Sequence, residues 1–203
     1  MTDRLSLLDL VRTRRSIRRY ADQPVDRWRI EAALEAATHA PSAHNRQPWR
    51  FAVVTSPEAK EQLASAMGER LRADRLADGD PPDVVDADVA RSHARSTSAP
   101  ALVLACMTMA DMNQSADARR SNAERSMAMQ SVAAAIQNLL LAAHAQGLAA
   151  CWMCAPLFAP DAARLALDLP ADWEPQALIT LGYPAELPKP KVVQPLTSRV
   201  VYR

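Results

Sequence analysis

Glycine is scarce in this chain: four residues in 203, at Gly68, Gly79, Gly147 and Gly182. None of them are spaced as a Gly-x-Gly-x-x-Gly turn or a P-loop, which excludes the usual dinucleotide and triphosphate motifs. If the chain uses a dinucleotide at all, it shows no sign of a separate Rossmann domain to hold it. Cysteine is sparse too, and its odd number, three, fits a reducing compartment better than a disulfide framework. His39, His44, His93 and His144 are scattered without metal-ligand spacing, so no metal is expected. No Ser-His-Asp order, paired-carboxylate motif or nucleophile elbow stands out, which leaves hydrolysis without a candidate site. An excess of one charge is also missing. With 24 basic and 23 acidic residues the chain lacks the balance that tracking a phosphodiester backbone demands. The amino terminus, Met-Thr-Asp-Arg, does not have the basic-then-apolar order of a signal peptide, and no uninterrupted apolar run could span a bilayer. A cytoplasmic protein with no nucleic-acid or membrane partner is the expectation.

What is present suits a folded domain. Hydrophobic residues make up 49% and charged residues 23%, an ordinary soluble balance, and the length allows one domain over residues 1–203 or a tightly joined pair. Leu5, Leu7, Leu8, Leu10 and Val11 read as a short first helix. Ile30, Ala33, Leu34 and Ala37 recur at helical spacing behind Asp26 as N-cap. Phe51 to Val54 is strand-like. Ser56-Pro57 then caps and starts another helix. The unbroken apolar run from Ala101 to Met107 predicts an interior strand. From Glu124 to Gln146, Met127, Val132, Ile136, Leu139, Leu140 and Ala143 spread around a helix, and a helix apolar on most faces must be buried on most faces. That implies a second subunit, with Gln130, Gln137 and Asn138 as satisfied interface or core groups. After Gly147, the expected C-cap, come strands over 148–153 and 177–182 with a helix over 160–167 between them. The charged section 73–98, with Gly79-Asp80-Pro81-Pro82, reads as a mobile loop and a short helix, a candidate lid. Ser198 to Tyr202 has strand composition. These elements make an α+β chain.

Three short segments carry chemistry. In Pro41-Ser-Ala-His-Asn-Arg-Gln-Pro-Trp49, a helix-to-strand loop, Ser42, Asn45 and Gln47 both donate and accept, and prolines stiffen the backbone that presents them. Such a loop suits the edge of a planar heterocycle, or serves simply as a capped, rigid connection. Arg14-Arg-Ser-Ile-Arg-Arg-Tyr20 offers forked guanidinium donors and a hydroxyl matched to phosphate oxygens. The alternative there is a solvated basic helix end that offsets the helix dipole. Cys151-Trp-Met-Cys154 has dithiol or half-zinc spacing, but no second pair exists for zinc and Cys151 sits in an apolar approach, so structural thiols are expected.

In order along the chain, Arg14-Arg15-Ser16-Ile17-Arg18, Pro24-Val25, Ala40-Pro41-Ser42-Ala43-His44-Asn45-Arg46-Gln47-Pro48-Trp49, the Cys151 to Pro156 loop, Gly182-Tyr183-Pro184 and Lys189-Pro190-Lys191 resemble the FMN-dependent nitroreductase family. The resemblance covers nearly the whole chain. It implies a nitroreductase-like α+β fold, a central mixed β-sheet flanked by helices, with a carboxy-terminal strand exchanged across a homodimer. It also implies FMN as cofactor and NADH or NADPH as donor. Nitroaromatic, quinone-like or related conjugated acceptors are then reduced by ping-pong hydride transfer. By the same resemblance Arg14, Arg15, Ser16 and Arg18, with Lys189 or Lys191, hold the phosphate and ribityl end. Pro41, Ser42, Asn45 and Gln47 meet the ring, and Met153, Cys154 and Ala155 give backbone contacts at its hydride-accepting edge. No side chain is assigned as acid or base. Many members carry a Glu-Gly pair where this chain has Cys154-Ala155. The run from Phe158 to Pro175 looks most like the flavin domain joined to some deazaflavin-coenzyme glutamate ligases, whose ligase half is absent here. Reduction of a deazaflavin-coenzyme precursor, or flavin binding and sensing without turnover, are the alternatives.

Overall fold

The computed structural model describes residues 6–186, 188 and 190–203. Strands β1 (Trp49–Val54), β2 (Ala101–Met107), β3 (Ala149–Met153) and β4 (Glu174–Gly182) form one sheet in the order β1-β2-β4-β3. Every neighbouring pair is antiparallel, so the expected mixed sheet is corrected. β2 and β3 do point the same way, joined by a crossover helix, but β4 is inserted between them and their parallel relation never becomes a hydrogen-bonded ladder. Parallel pairing among the described residues is confined to the isolated bridge from Ser16 to Ala150.

The apolar run of β2 is continuous because both faces of the strand are covered. Ala101, Val103, Ala105 and Met107 enter one core with α2 (Arg27–Thr38) and α5 (Ala118–Ala145). Leu102, Leu104 and Cys106 enter a second core with α3 (Pro57–Ala77) and α6 (Pro160–Ala166). α5 starts before the expected Glu124, because Asp117 caps it by accepting from the Arg120 N–H at 2.8 Å. Its Val132, Ile136, Leu139 and Leu140 are buried within this single chain, while Met129, Gln130 and Gln137 stay exposed. Asn138 donates to the Ala36 carbonyl at 3.1 Å, tying α5 to α2. By length and hydropathy α5 could cross a bilayer, but its apolar face is occupied by the sheet and α2.

One expectation fails here. Residues 73–98 are not a mobile loop with a short helix: α3 runs on to Ala77 and α4 (Pro82–Thr97) follows after a four-residue turn, Asp78 to Pro81. The charges that suggested a loop pair across the hairpin instead. Arg75 meets Asp80 and Asp88, and Arg72 meets Asp86. Val85 is fully buried beneath them. The carboxy-terminal Ser198 to Tyr202 forms no strand within one protomer; a 3-10 turn at Leu196–Ser198 precedes residues without regular structure. Val201 and Tyr202 are exposed, since a strand needs a sheet edge to pair with.

Candidate functional site

α1 (Leu7–Thr13) stops at Arg14, and the chain continues extended along the outer edge of β3. The Ile17 N–H donates to the Ala150 carbonyl at 3.2 Å, and the Ala21 N–H donates to the Tyr183 carbonyl at 2.9 Å. Between these ties the Tyr20 hydroxyl donates to the Ile17 carbonyl at 2.8 Å and lies 2.5 Å from Thr180 Oγ1. Burial pushes the Tyr20 phenol above its ordinary range, so it remains a neutral hydrogen-bonding group. Gly182 makes room for it: a Cβ there would sit 2.8 Å from the Tyr20 ring and 2.7 Å from Pro100.

Pinned in this way, the segment turns Arg14, Arg15, Ser16 and Arg18 into one cleft of about 890 Å³, and Lys191 joins them from the tail. Lys189 lies outside the described residues. Arg15 is folded back, donating to the carbonyls of Arg12 at 2.5 Å and Arg14 at 2.9 Å. The cleft's other wall is α4, which contributes Arg91 and Arg95. Neither was singled out in the sequence, where section 73–98 read as a mobile loop and a short helix; two arginines one helical turn apart were the available signal. Beside the Arg14 to Arg18 segment, burial and the charges of Arg14 and Arg15 lower the His144 pKa, and its Nε2 lies 2.9 Å from Thr13 Oγ1.

The loop expected to face a ring is elsewhere. Pro41, Ser42, Asn45 and Gln47 precede β1, at the opposite edge of the sheet from β3. The register sets Ser16 level with Ala150, Leu181 and Ala101, whereas the loop joins the sheet at Trp49, beside Met107. The Ser16 segment lies one spacing beyond β3, so four strand spacings and about six residues of strand separate the two groups, roughly 28 Å in all. The loop is built for rigidity. Ser42 Oγ accepts from the Gln47 N–H at 3.0 Å, Asn45 Oδ1 accepts from Gln47 Nε2 at 3.2 Å, and the Ala43 N–H donates to Ser131 Oγ at 3.2 Å. His44, Asn45 and Gln47 hold φ of 51°, 53° and 50°, a left-handed cluster that costs energy in residues other than glycine.

Met153, Cys154 and Ala155 lie at the far end of β3, on the same sheet edge as the arginine-rich segment. Four residues of strand separate Ala150 from Cys154, about 13 Å. Cys154 is exposed and Cys151 buried. Burial raises the Cys151 thiol and pushes Cys106 up to about 12, so neither is a ready thiolate.

The sequence matches the model of the nitroreductase family over residues 11–183. The chain belongs to the nitroreductase family. Among its relatives is a protein of Thermus thermophilus named NADH dehydrogenase, 31% identical over 205 residues that cover 94% of this chain and 92% of that one. A solved structure from Desulfovibrio desulfuricans, assigned as a nitroreductase and in complex with FMN, is 27% identical with a TM-score of 0.73, over 97% of this chain and 95% of the other. A BluB-like flavoprotein from Clostridium difficile shares the fold at a TM-score of 0.83 and 24% identity, over 98% and 99% of the two chains. The α+β architecture of this nitroreductase-family chain is therefore that of its relatives.

Proposed function

We propose that the protein is an FMN-dependent NAD(P)H oxidoreductase that reduces nitroaromatic, quinone-like or related conjugated acceptors. The observation that carries this is the basic cleft: Arg14, Ser16 and Arg18, on a segment held against β3 by backbone hydrogen bonds, with Lys191 lining the same cleft. Its donors suit a phosphate monoester, and the FMN complex of the Desulfovibrio relative supports that cofactor. When bound, FMN supplies the hydride chemistry. Arg14, Arg15, Ser16, Arg18 and Lys191 bind and orient its phosphate end. Met153, Cys154 and Ala155 border the same edge about 13 Å further along. Amide and hydroxyl groups of Ser42, Asn45 and Gln47 stabilise negative charge at a pyrimidine edge, the logic of an oxyanion hole. Donor and acceptor approach the same exposed face in turn, which gives ping-pong kinetics.

A homodimer makes these parts one site. The clamp and the Ser42 loop are separated by more than one FMN spans, so the loop serves the clamp of a second copy. The exposed β1 edge supports the same assembly. A groove of about 490 Å³ runs along it, lined by Phe51, Val53, Leu169 and Trp173. The apolar tail residues Val192, Val193 and Val201 are exposed in the single chain. A partner's tail in that groove gains a ladder and buries those side chains.

The test is spectroscopic. Purified protein should show flavin absorbance that NADH or NADPH bleaches and a nitroaromatic or quinone restores. Flavin that no nicotinamide reduces would favour the sensing role, and protein unable to take up FMN would remove the proposal.

A further inference from the structure

The cleft holds more positive charge than one phosphate monoester uses. Arg14, Arg15, Arg18, Arg19, Arg91, Arg95 and Lys191 line it against a single carboxylate, Glu186. Among the described residues Arg19 pairs with Glu186, and Arg91 pairs with Asp88. Arg14, Arg15, Arg18, Arg95 and Lys191 make no ion pair there. A phosphate monoester carries about −1.5 to −2 charges near neutral pH, so several cations stay uncompensated. Like charges gathered in a concave wall raise the local potential and attract a further anion.

Arg95 is the cation best placed to meet it. It comes from α4 rather than from the clamp segment, and Arg91, one turn earlier, points into the same cleft. Asp88 holds Arg91 while also meeting Arg75 of α3 at 2.7 Å, so the hairpin fixes this wall. Arg14 and Arg18 of the clamp segment and Arg95 of α4 line the one cleft, and all three act electrostatically on the Cys151 thiol. An arginine in the last turn also offsets the helix dipole, but that effect does not require both arginines to face the cleft.

We propose that Arg95, backed by Arg91, forms a second anion subsite that takes a phosphate or carboxylate of the second ligand rather than the phosphate of FMN. This rests on the assignment of the clamp to FMN. The anion comes either from the nicotinamide dinucleotide or from an acidic conjugated acceptor.

The experiment compares FMN-loaded wild type with Arg95→Gln and Arg95→Lys. FMN per chain is read by absorbance, and inorganic pyrophosphate binding by calorimetry. KM is measured for NADPH, for NADH, and for nitrobenzene against nitrobenzoate. Wild type should bind pyrophosphate. Arg95→Gln should keep its FMN and bind pyrophosphate roughly ten- to a hundredfold more weakly, the loss of one charged hydrogen bond. Arg95→Lys should recover most of that affinity. A raised KM for NADPH alone assigns the subsite to the 2′-phosphate, for both nucleotides to the pyrophosphate bridge, and for nitrobenzoate alone to the acceptor. Loss of FMN from Arg95→Gln overturns the proposal by returning Arg95 to the cofactor, as does retained FMN with unchanged pyrophosphate affinity. Wild type that never binds FMN defeats the proposed function instead, so the two failures are distinct.

Discussion

The Tyr20 hydroxyl lies 2.5 Å from Thr180 Oγ1, and this contact joins the arginine-rich segment proposed to hold phosphate to an interior strand of the sheet. Tyr20 also donates to the Ile17 carbonyl at 2.8 Å, inside the arginine-rich segment itself. Tyr20→Phe should therefore cost about 1–2 kcal/mol of stability and weaken FMN retention as well. Urea unfolding and titration of the apoprotein with FMN measure the two effects. Lost stability at unchanged FMN affinity would show that the clamp keeps its shape without this tie.

Arg18 is exposed in the cleft, and its removal should leave the fold intact. Arg18→Ala should weaken FMN binding roughly ten- to a hundredfold, the range of a charged hydrogen bond. Unchanged affinity would return Arg18 to the role of a solvated surface charge.

Cys151 is buried and Cys154 exposed, a poor arrangement for a reactive dithiol. The double variant Cys151→Ser with Cys154→Ser should retain substantial NAD(P)H-dependent reductase activity, with some loss of stability from the buried position. A folded, flavin-loaded double variant without turnover would establish a role for the thiols.

His144 has its pKa lowered by burial and by Arg14 and Arg15. In the unfolded chain it titrates near 6.5, so on acidification the unfolded state takes up its proton first. Stability from this group should fall as pH drops below about 6.5 and level off once pH passes below the folded value. Phosphate in the clamp offsets the arginine charges and should move the His144 titration upward. NMR titration of the ring with and without FMN tests this; a cofactor-independent curve would separate His144 from the clamp.

Much of this was legible before the structure. Local rules located the elements: Ser56 accepts from the Ala59 N–H at 3.2 Å with Pro57 at the first helical position, and the run from Ala101 to Met107 is wholly buried. The arginine run was visible as well, and the structure gathers Arg14, Arg15, Ser16 and Arg18 in one cleft, but the run alone fitted a solvated helix end equally and only the resemblance pointed to phosphate. The α3–α4 hairpin was not, because its charges are satisfied by partners thirteen and fourteen residues away, Asp88 for Arg75 and Asp86 for Arg72. Periodicity within one helix does not record such pairs. Arg91 and Arg95 were hidden for the same reason. The tail's strand composition was plain, but its pairing depends on an edge that composition cannot name.

The central claim is that each FMN site is built from two chains, and mixed dimers test it most directly. One chain carries Arg14→Ala with Arg18→Ala, the other Asn45→Ala with Gln47→Ala; they are co-expressed with different affinity tags and the mixed species is isolated. Each homodimer should hold little FMN. If the clamp of one chain works with the loop of the other, the mixed dimer contains one intact site and should bind one FMN per pair of chains with turnover restored. A mixed dimer as empty as both parents would contradict the shared site and place the whole flavin site within a single chain.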